Sequence, residues 1–214
     1  MHAIQNALEF TMRGGFMMYP LLLSALVALA VILERSYIFH RRYVTPGGFV
    51  AQVLKHVQSN QLDQARKSCA QTESPIASVM AAGLEHFQNP VAEMELAMKN
   101  RAEEWIPVME RSIEVIDTVI TAAPLMGLLG TITGMMASFK VLSEKGVNEP
   151  NAITGGVAEA LIATATGLVI ALICLVAYNY FSGRVKVFIY EIESVASKLM
   201  ELRMSAQRNN GKTN

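Results

Sequence analysis

The chain has 214 residues, 52% of them hydrophobic and only 17% charged, with a mean hydropathy of +0.31. Soluble domains carry about 25% charged residues, so this balance points to a membrane protein. The formal net charge is zero, which removes the electrostatic case for a nucleic-acid partner.

Residues 1–13 form a polar, mildly amphipathic lead with Ile4, Ala7, Leu8 and Phe10 on one side. From Gly14 to Leu33 there are 20 residues without a charge, about the length that crosses a bilayer. A cleaved signal peptide fits this run poorly. Arg13 is balanced by Glu9, and positive charge follows the run at Arg35, Arg41 and Arg42. Residues 14–34 are therefore expected to be the first membrane helix.

A polar region, 35–116, reads as a helical domain. Pro46-Gly47-Gly48 is a turn, and apolar residues at 50, 53, 54 and 57 follow with helical spacing. Leu62 to Cys69 suits a second short helix. Ser74-Pro75 starts a third, with proline in the first helical position, and Asn89-Pro90 starts a fourth. From Val91 the pattern hardly stops. Ile106, Met109, Ile113, Ile116 and Ile120 make a stripe that runs into Thr118–Phe139, 22 residues without a charge. One long helix is expected, bent rather than ended by Pro107.

The second membrane helix is placed at 117–140, a short connection at 141–152 and the third membrane helix at 153–183. Val185, Phe188, Ile189, Ile192, Val195, Leu199 and Leu202 keep a helical stripe going beyond it, within the segment 184–214. Residues 205–214 are polar and read as lacking fixed structure. The fold class expected is all-α, integral to the membrane, with three transmembrane helices. The second and third extend into a helical domain on one side.

Charge orients the chain. The lead and the connection carry three of the Lys and Arg residues, and the 35–111 region and the tail carry fifteen. By the positive-inside rule the large loop and the C-terminus are cytoplasmic, and the N-terminus and the connection are periplasmic.

No Gly-rich phosphate loop, Ser/His/Asp set or nucleophile–base pair occurs, so we do not read the chain as an enzyme. His2, His40, His56 and His86 are scattered without metal-ligand spacing and are read as surface residues. Cys69 and Cys174 cannot make a disulfide framework, and no cofactor is expected.

One residue stands apart. Glu159 is the only Asp, Glu, Lys or Arg between Glu149 and Arg184. A carboxylate inside a span costs about 2.5–3.5 kcal/mol, so it is rarely kept without a use. The plainer alternative is an acid near the span end that reaches headgroup water. Its company favours a use: Thr164 and Thr166 follow on the same span, and Thr131 and Thr133 lie on the one before. Counted inward at about 1.5 Å per residue, Thr131 and Thr164 fall roughly 12 and 16 Å below the outer surface, a similar depth. Small residues line both spans: Ala123, Gly127, Thr131 and Gly134 lie along one side of the second, where Gly130 and Gly134 make a small-xxx-small pair, and Gly156, Ala160, Ala163, Gly167 and Ala171 do the same on the third. Such faces let helices pack closely where lipid supplies no hydrophobic drive. Pro124 should loosen the ladder near Ile120.

At these residues the chain resembles the ExbB/TolQ/MotA family of proton-channel subunits. The likeness lies in Thr121-Ala122-Ala123-Pro124-Leu125-Met126-Gly127-Leu128-Leu129-Gly130-Thr131-Ile132-Thr133-Gly134-Met135-Met136-Ala137-Ser138-Phe139 and in Gly156-Val157-Ala158-Glu159-Ala160-Leu161-Ile162-Ala163-Thr164-Ala165-Thr166-Gly167-Leu168, then Tyr178-Asn179. The polar domain matches only in being helical. With three spans the chain looks closer to the ExbB/TolQ branch than to flagellar stators.

The resemblance implies a homo-oligomeric ring, of five subunits, in the bacterial inner membrane. It also implies a single-span partner of the ExbD/TolR kind bearing a membrane aspartate, and a TonB-like or Tol-system partner driven by the proton-motive force. By motif, Thr131, Glu159 and Thr164 would line the ion path, for a proton or a sodium ion. Ile173, beside Cys174, stands where ExbB-like members often have a proline. The rival reading is a non-conducting oligomeric scaffold held by the same small-residue faces.

Overall fold

A computed structural model describes residues 15–41, 47–145 and 150–210. The lead 1–13 with His2, Pro46, and Gly146 and Asn148 of the connection lie outside the described residues. Among the described residues the chain is all-α, with no strand. Its helices are α1 (Met18–Arg41), α2 (Phe49–Gln58), α3 (Leu62–Ala70), α4 (Pro75–Glu85), α5 (Val91–Glu110), α6 (Ile113–Lys145) and α7 (Pro150–Asn210). Three of them, α1, α6 and α7, are long and apolar enough to cross a membrane.

The chain divides into two compact units: one takes the chain up to Glu34 with Ser112–Tyr180, the other Arg35–Arg111 with Phe181–Asn214. In the first unit α1 buries Met18, Leu21 and Ala28 while Leu23, Leu26, Leu29 and Leu33 stand exposed. A helix that is apolar all round is built for lipid rather than water. The turn Gly15–Met17 opens it, closed by Met18 N–H donating to the Gly15 carbonyl at 3.0 Å.

The second unit has a conventional core. Gly48 takes the left-handed φ of +82° and turns the chain into α2, which buries Phe49, Val53 and Val57. Ser74 caps α4 by accepting from the Ala77 N–H at 3.1 Å, with Pro75 in the first turn, as its sequence position predicts. Met80, Leu84, Met94 and Met98 fill the centre, closed by Phe188, Ile192 and Leu199 of α7. Gly83 lets Met98 and Leu199 meet over α4: a Cβ there would lie 2.6 Å from Met98 Sδ and 2.8 Å from Leu199 Cδ2.

Two expectations change. The single helix from Val91 onward is instead two, parted at Arg111–Ser112. Pro107 weakens the ladder one turn upstream, since it has no N–H to donate. The buried Arg35 then donates through Nη1 to the carbonyls of Val108, at 3.2 Å, and Met109, at 3.3 Å. In an unbroken helix those oxygens would face amides four residues on. The tail also stays helical to Asn210 rather than fraying from 205. Arg203 ties it down, donating through Nη2 to the Gln88 carbonyl at 2.9 Å with its guanidinium 5.7 Å from the Phe87 ring centre.

Candidate functional site

The first unit places α6 and α7 antiparallel and in contact through their small residues. A Cβ on Gly167 would stand 2.5 Å from the Ala123 carbonyl oxygen, and one on Gly127 would stand 3.0 Å from the Ala163 carbonyl oxygen. Further along, a Cβ on Gly130 would lie 2.7 Å from Ala163 Cβ, and one on Gly134 2.9 Å from Ala160 Cβ. Gly156 closes the series against Ser138. Ala123, Ala160 and Ala163 are buried in this seam, and Cys174 is buried seven residues beyond Gly167, on the same face of α7. Side chains larger than methyl would hold the backbones apart, which is the physical reason for the stripe. Past Pro124 the helix α6 runs on without interruption.

Thr164 joins the two helices. Its hydroxyl donates to the Gly127 carbonyl at 2.9 Å, reaching across from α7 to α6. Thr131 does not reach α7; it donates to Leu128 of its own helix at 2.6 Å. Thr133 and Thr166 likewise bond within their helices, to Leu129 at 3.0 Å and to Ile162 at 2.8 Å. Each committed hydroxyl keeps lone pairs as acceptors, so the threonines can still receive a bond from water.

The register sets Thr164 about one turn, roughly 5.4 Å, deeper than Thr131, in the same sense as the roughly 12 and 16 Å counted from the sequence. Because Thr164 is level with Gly127, Thr131 lies a turn further along, level with the segment that carries Glu159 and Ala160.

Glu159 lies elsewhere again. It is half-buried, and its carboxyl packs against Gly15, in the turn that opens α1. At 3.6 residues per turn, Glu159 and Thr164 point about 140° apart around α7. The chain therefore brings Thr164 to Gly127 and Glu159 to Gly15, on opposite flanks of the α6–α7 seam. Two residues of this site have no role assigned from the sequence. Ser138, buried and donating to the Gly134 carbonyl at 3.0 Å, continues the small-residue stripe by one more four-residue step and was legible there. Gly15 carried no signal beyond being a glycine at the start of an apolar run.

His40 is exposed, and His56 and His86 are half-buried, bonded to Gln61 and to the Ala82 carbonyl at 3.2 and 3.1 Å. Among the described residues no three His, Cys, Asp or Glu side chains converge.

A membrane protein built on a small-residue helix seam, with one acid in an otherwise charge-free span, defines a class before any comparison is made. The family model for the MotA/TolQ/ExbB proton channel family matches residues 71–194, and the chain belongs to that family. It falls on the ExbB/TolQ branch. It is 35% identical over 172 residues to the putative biopolymer transport protein ExbB-like 3 of Synechocystis, covering 79% of this chain and 82% of that one. The putative ExbB homologue of Methanothermobacter thermautotrophicus is 28% identical, over 89% of this chain and 68% of that one. The Tol-Pal system protein TolQ of Pseudomonas aeruginosa is 34% identical over 128 residues, 55% of each chain.

Proposed function

We propose that this chain is the ring-forming subunit of an inner-membrane proton channel that turns the proton-motive force into work on an envelope-spanning partner. Family membership supports the channel. The observation that carries the site is Glu159, the one Asp, Glu, Lys or Arg in the apolar stretch of α7, half-buried beside the α6–α7 seam. Copies of α6 and α7 would surround a central path, in a ring of five. Exposed apolar side chains such as Leu125, Leu128, Met136, Leu161, Leu168 and Leu172 leave broad surfaces for lipid and neighbouring copies.

In this reading Glu159 takes and gives up the proton, and Thr131 and Thr164 offer acceptor oxygens along the way. A single-span partner of the ExbD/TolR kind would carry the membrane aspartate that completes the relay, and a TonB-like or Tol-system protein would receive the work. The large loop and C-terminus face the cytoplasm. One proton crossing 100 mV releases about 2.3 kcal/mol from the electrical term, too little to unfold a domain in one step. The motor therefore works by repeated steps or rotation.

The test is proton flux through the purified complex in liposomes under an imposed potential. Glu159→Gln keeps the shape and removes the titrating group, so conduction falls to background while the complex still assembles. Unchanged flux takes Glu159 out of the path. A complex that conducts nothing even with its single-span partner present makes the chain a scaffold.

A further inference from the structure

We propose that the turn opening α1 is a seat for the Glu159 side chain, with Gly15 the positioning residue that gives the carboxyl its place. The inference rests on the reading of Glu159 as the ion-path acid and adds what holds it. Gly15 has φ +70°, a left-handed conformation that side chains other than glycine's rarely adopt. A Cβ at the same residue would collide with Glu159 Oε1 and stand 2.7 Å from Cδ and 3.1 Å from Cγ. Two separate demands for glycine meet at one position: the backbone needs it, and the carboxyl occupies the space a side chain would fill.

The seat is fixed to the rest of the first unit. Met17, two residues on, presses against α6, where a Cβ on Gly130 would lie 3.4 Å from Met17 Cβ. The turn itself is closed by Met18 N–H on the Gly15 carbonyl at 3.0 Å and Leu21 N–H on the Met17 carbonyl at 3.4 Å. The acid thus meets the turn that opens α1, an element separate from the two helices whose small residues form the seam. Any side chain at residue 15 must push the carboxyl out of the seat. A shift of α1 against α7 would move the group that carries the proton.

Two measurements test this, and the first does not depend on conduction. Gly15→Cys with Glu159→Cys, in a chain whose Cys69 and Cys174 are replaced by alanine, is oxidised in the assembled membrane complex with copper phenanthroline. Glu159 Cγ marks where the new sulfur would stand, close enough for a disulfide. Peptide mass spectrometry should find the intrachain link in high yield, and none for Gly15→Cys with Thr164→Cys. No link, or equal linking to residue 164, overturns the seat.

The second measurement is flux. Gly15→Ala lowers it on the order of tenfold to a hundredfold, the scale of misplacing a reacting group by an ångström. Adding Glu159→Asp, one methylene shorter, restores part of it. Gly48→Ala is the control for a left-handed alanine, because Gly48 has φ +82° with nothing within 4 Å of its Cβ position, and it leaves flux unchanged. Wild-type flux in Gly15→Ala, or no rescue by Glu159→Asp, overturns the positioning role. Were Glu159→Gln to conduct normally, the ion-path reading would fall while the disulfide still decided the seat.

Discussion

The Gly167→Ala substitution puts the α6–α7 seam to a quantitative test. The new methyl would stand 2.5 Å from the Ala123 carbonyl oxygen, whereas ordinary contact begins near 3.4 Å, so the helices must part by about 0.9 Å there. A gap of that size forfeits a quarter to a half of the dispersion attraction of the contacts it opens. One turn away, the Thr164 hydrogen bond to Gly127, now 2.9 Å, would stretch toward about 3.8 Å, beyond bonding range. Overpacking costs about 1–3 kcal/mol and a membrane hydrogen bond averages about 0.6 kcal/mol. Alanine returns about 1 kcal/mol through helix propensity. The expected net loss is about 1–2 kcal/mol, roughly a 5- to 30-fold shift in the folded ratio.

Cys174 makes the assay possible, because it is buried, with 2% exposure, two turns along the face of α7 that carries Gly167. In a Cys69→Ala chain it is the only thiol, so its labelling by a maleimide dye in mild detergent reports opening of this helix pair. Labelling should rise 5- to 30-fold in Gly167→Ala. Gly155→Ala, where nothing lies within 4 Å of the Cβ position, should label no faster than wild type. Equal rates for Gly167→Ala and wild type would refute the account of the small residues as close-approach sites.

Two further outcomes follow from single side chains. Thr164→Val removes the bond between α7 and α6 and should destabilise the seam by about 0.6 kcal/mol, up to about 1.7, in the same labelling assay. Thr131→Val, whose hydroxyl bonds only within α6, should stay within about 0.5 kcal/mol of wild type, so equal losses would contradict the assigned partners. In the second unit, burial pushes the Cys69 thiol up to about 11. It should resist thiol reagents at pH 8 until the unit unfolds. The protonated thiol is the form the fold favours, so its contribution is complete below about pH 9, where the unfolded thiol titrates, and is lost as pH rises toward 11. Denaturation midpoints at pH 8 and pH 10.5 should therefore differ more for the native chain than for Cys69→Ala, and an equal difference would refute the burial argument.

Much of the fold was legible because its signals are local. Charge-free runs of membrane length, proline in a first helical turn and four-residue steps of small side chains each act within a few neighbours along the chain. They gave three membrane helices, the start of α4 and the seam residues Gly127, Gly130, Gly134, Ala160 and Gly167. The isolation of Glu159 was legible for the same reason: one acid in an apolar run is a property of the run.

Tertiary structure decided the rest, and in each case the deciding partner is distant in sequence. Arg35 meets the carbonyls of Val108 and Met109 more than 70 residues away, where the expected single helix becomes two. The register that sets Thr164 against Gly127, and so puts Thr131 a turn away, depends on where two helices touch. What Glu159 meets on its side of α7 is Gly15, whose left-handed backbone and missing side chain make a space only once the turn opening α1 lies against α7. Periodicity tells which face of a helix is small or apolar; it carries no information on what comes to rest there, because that is set by packing between segments the sequence keeps far apart.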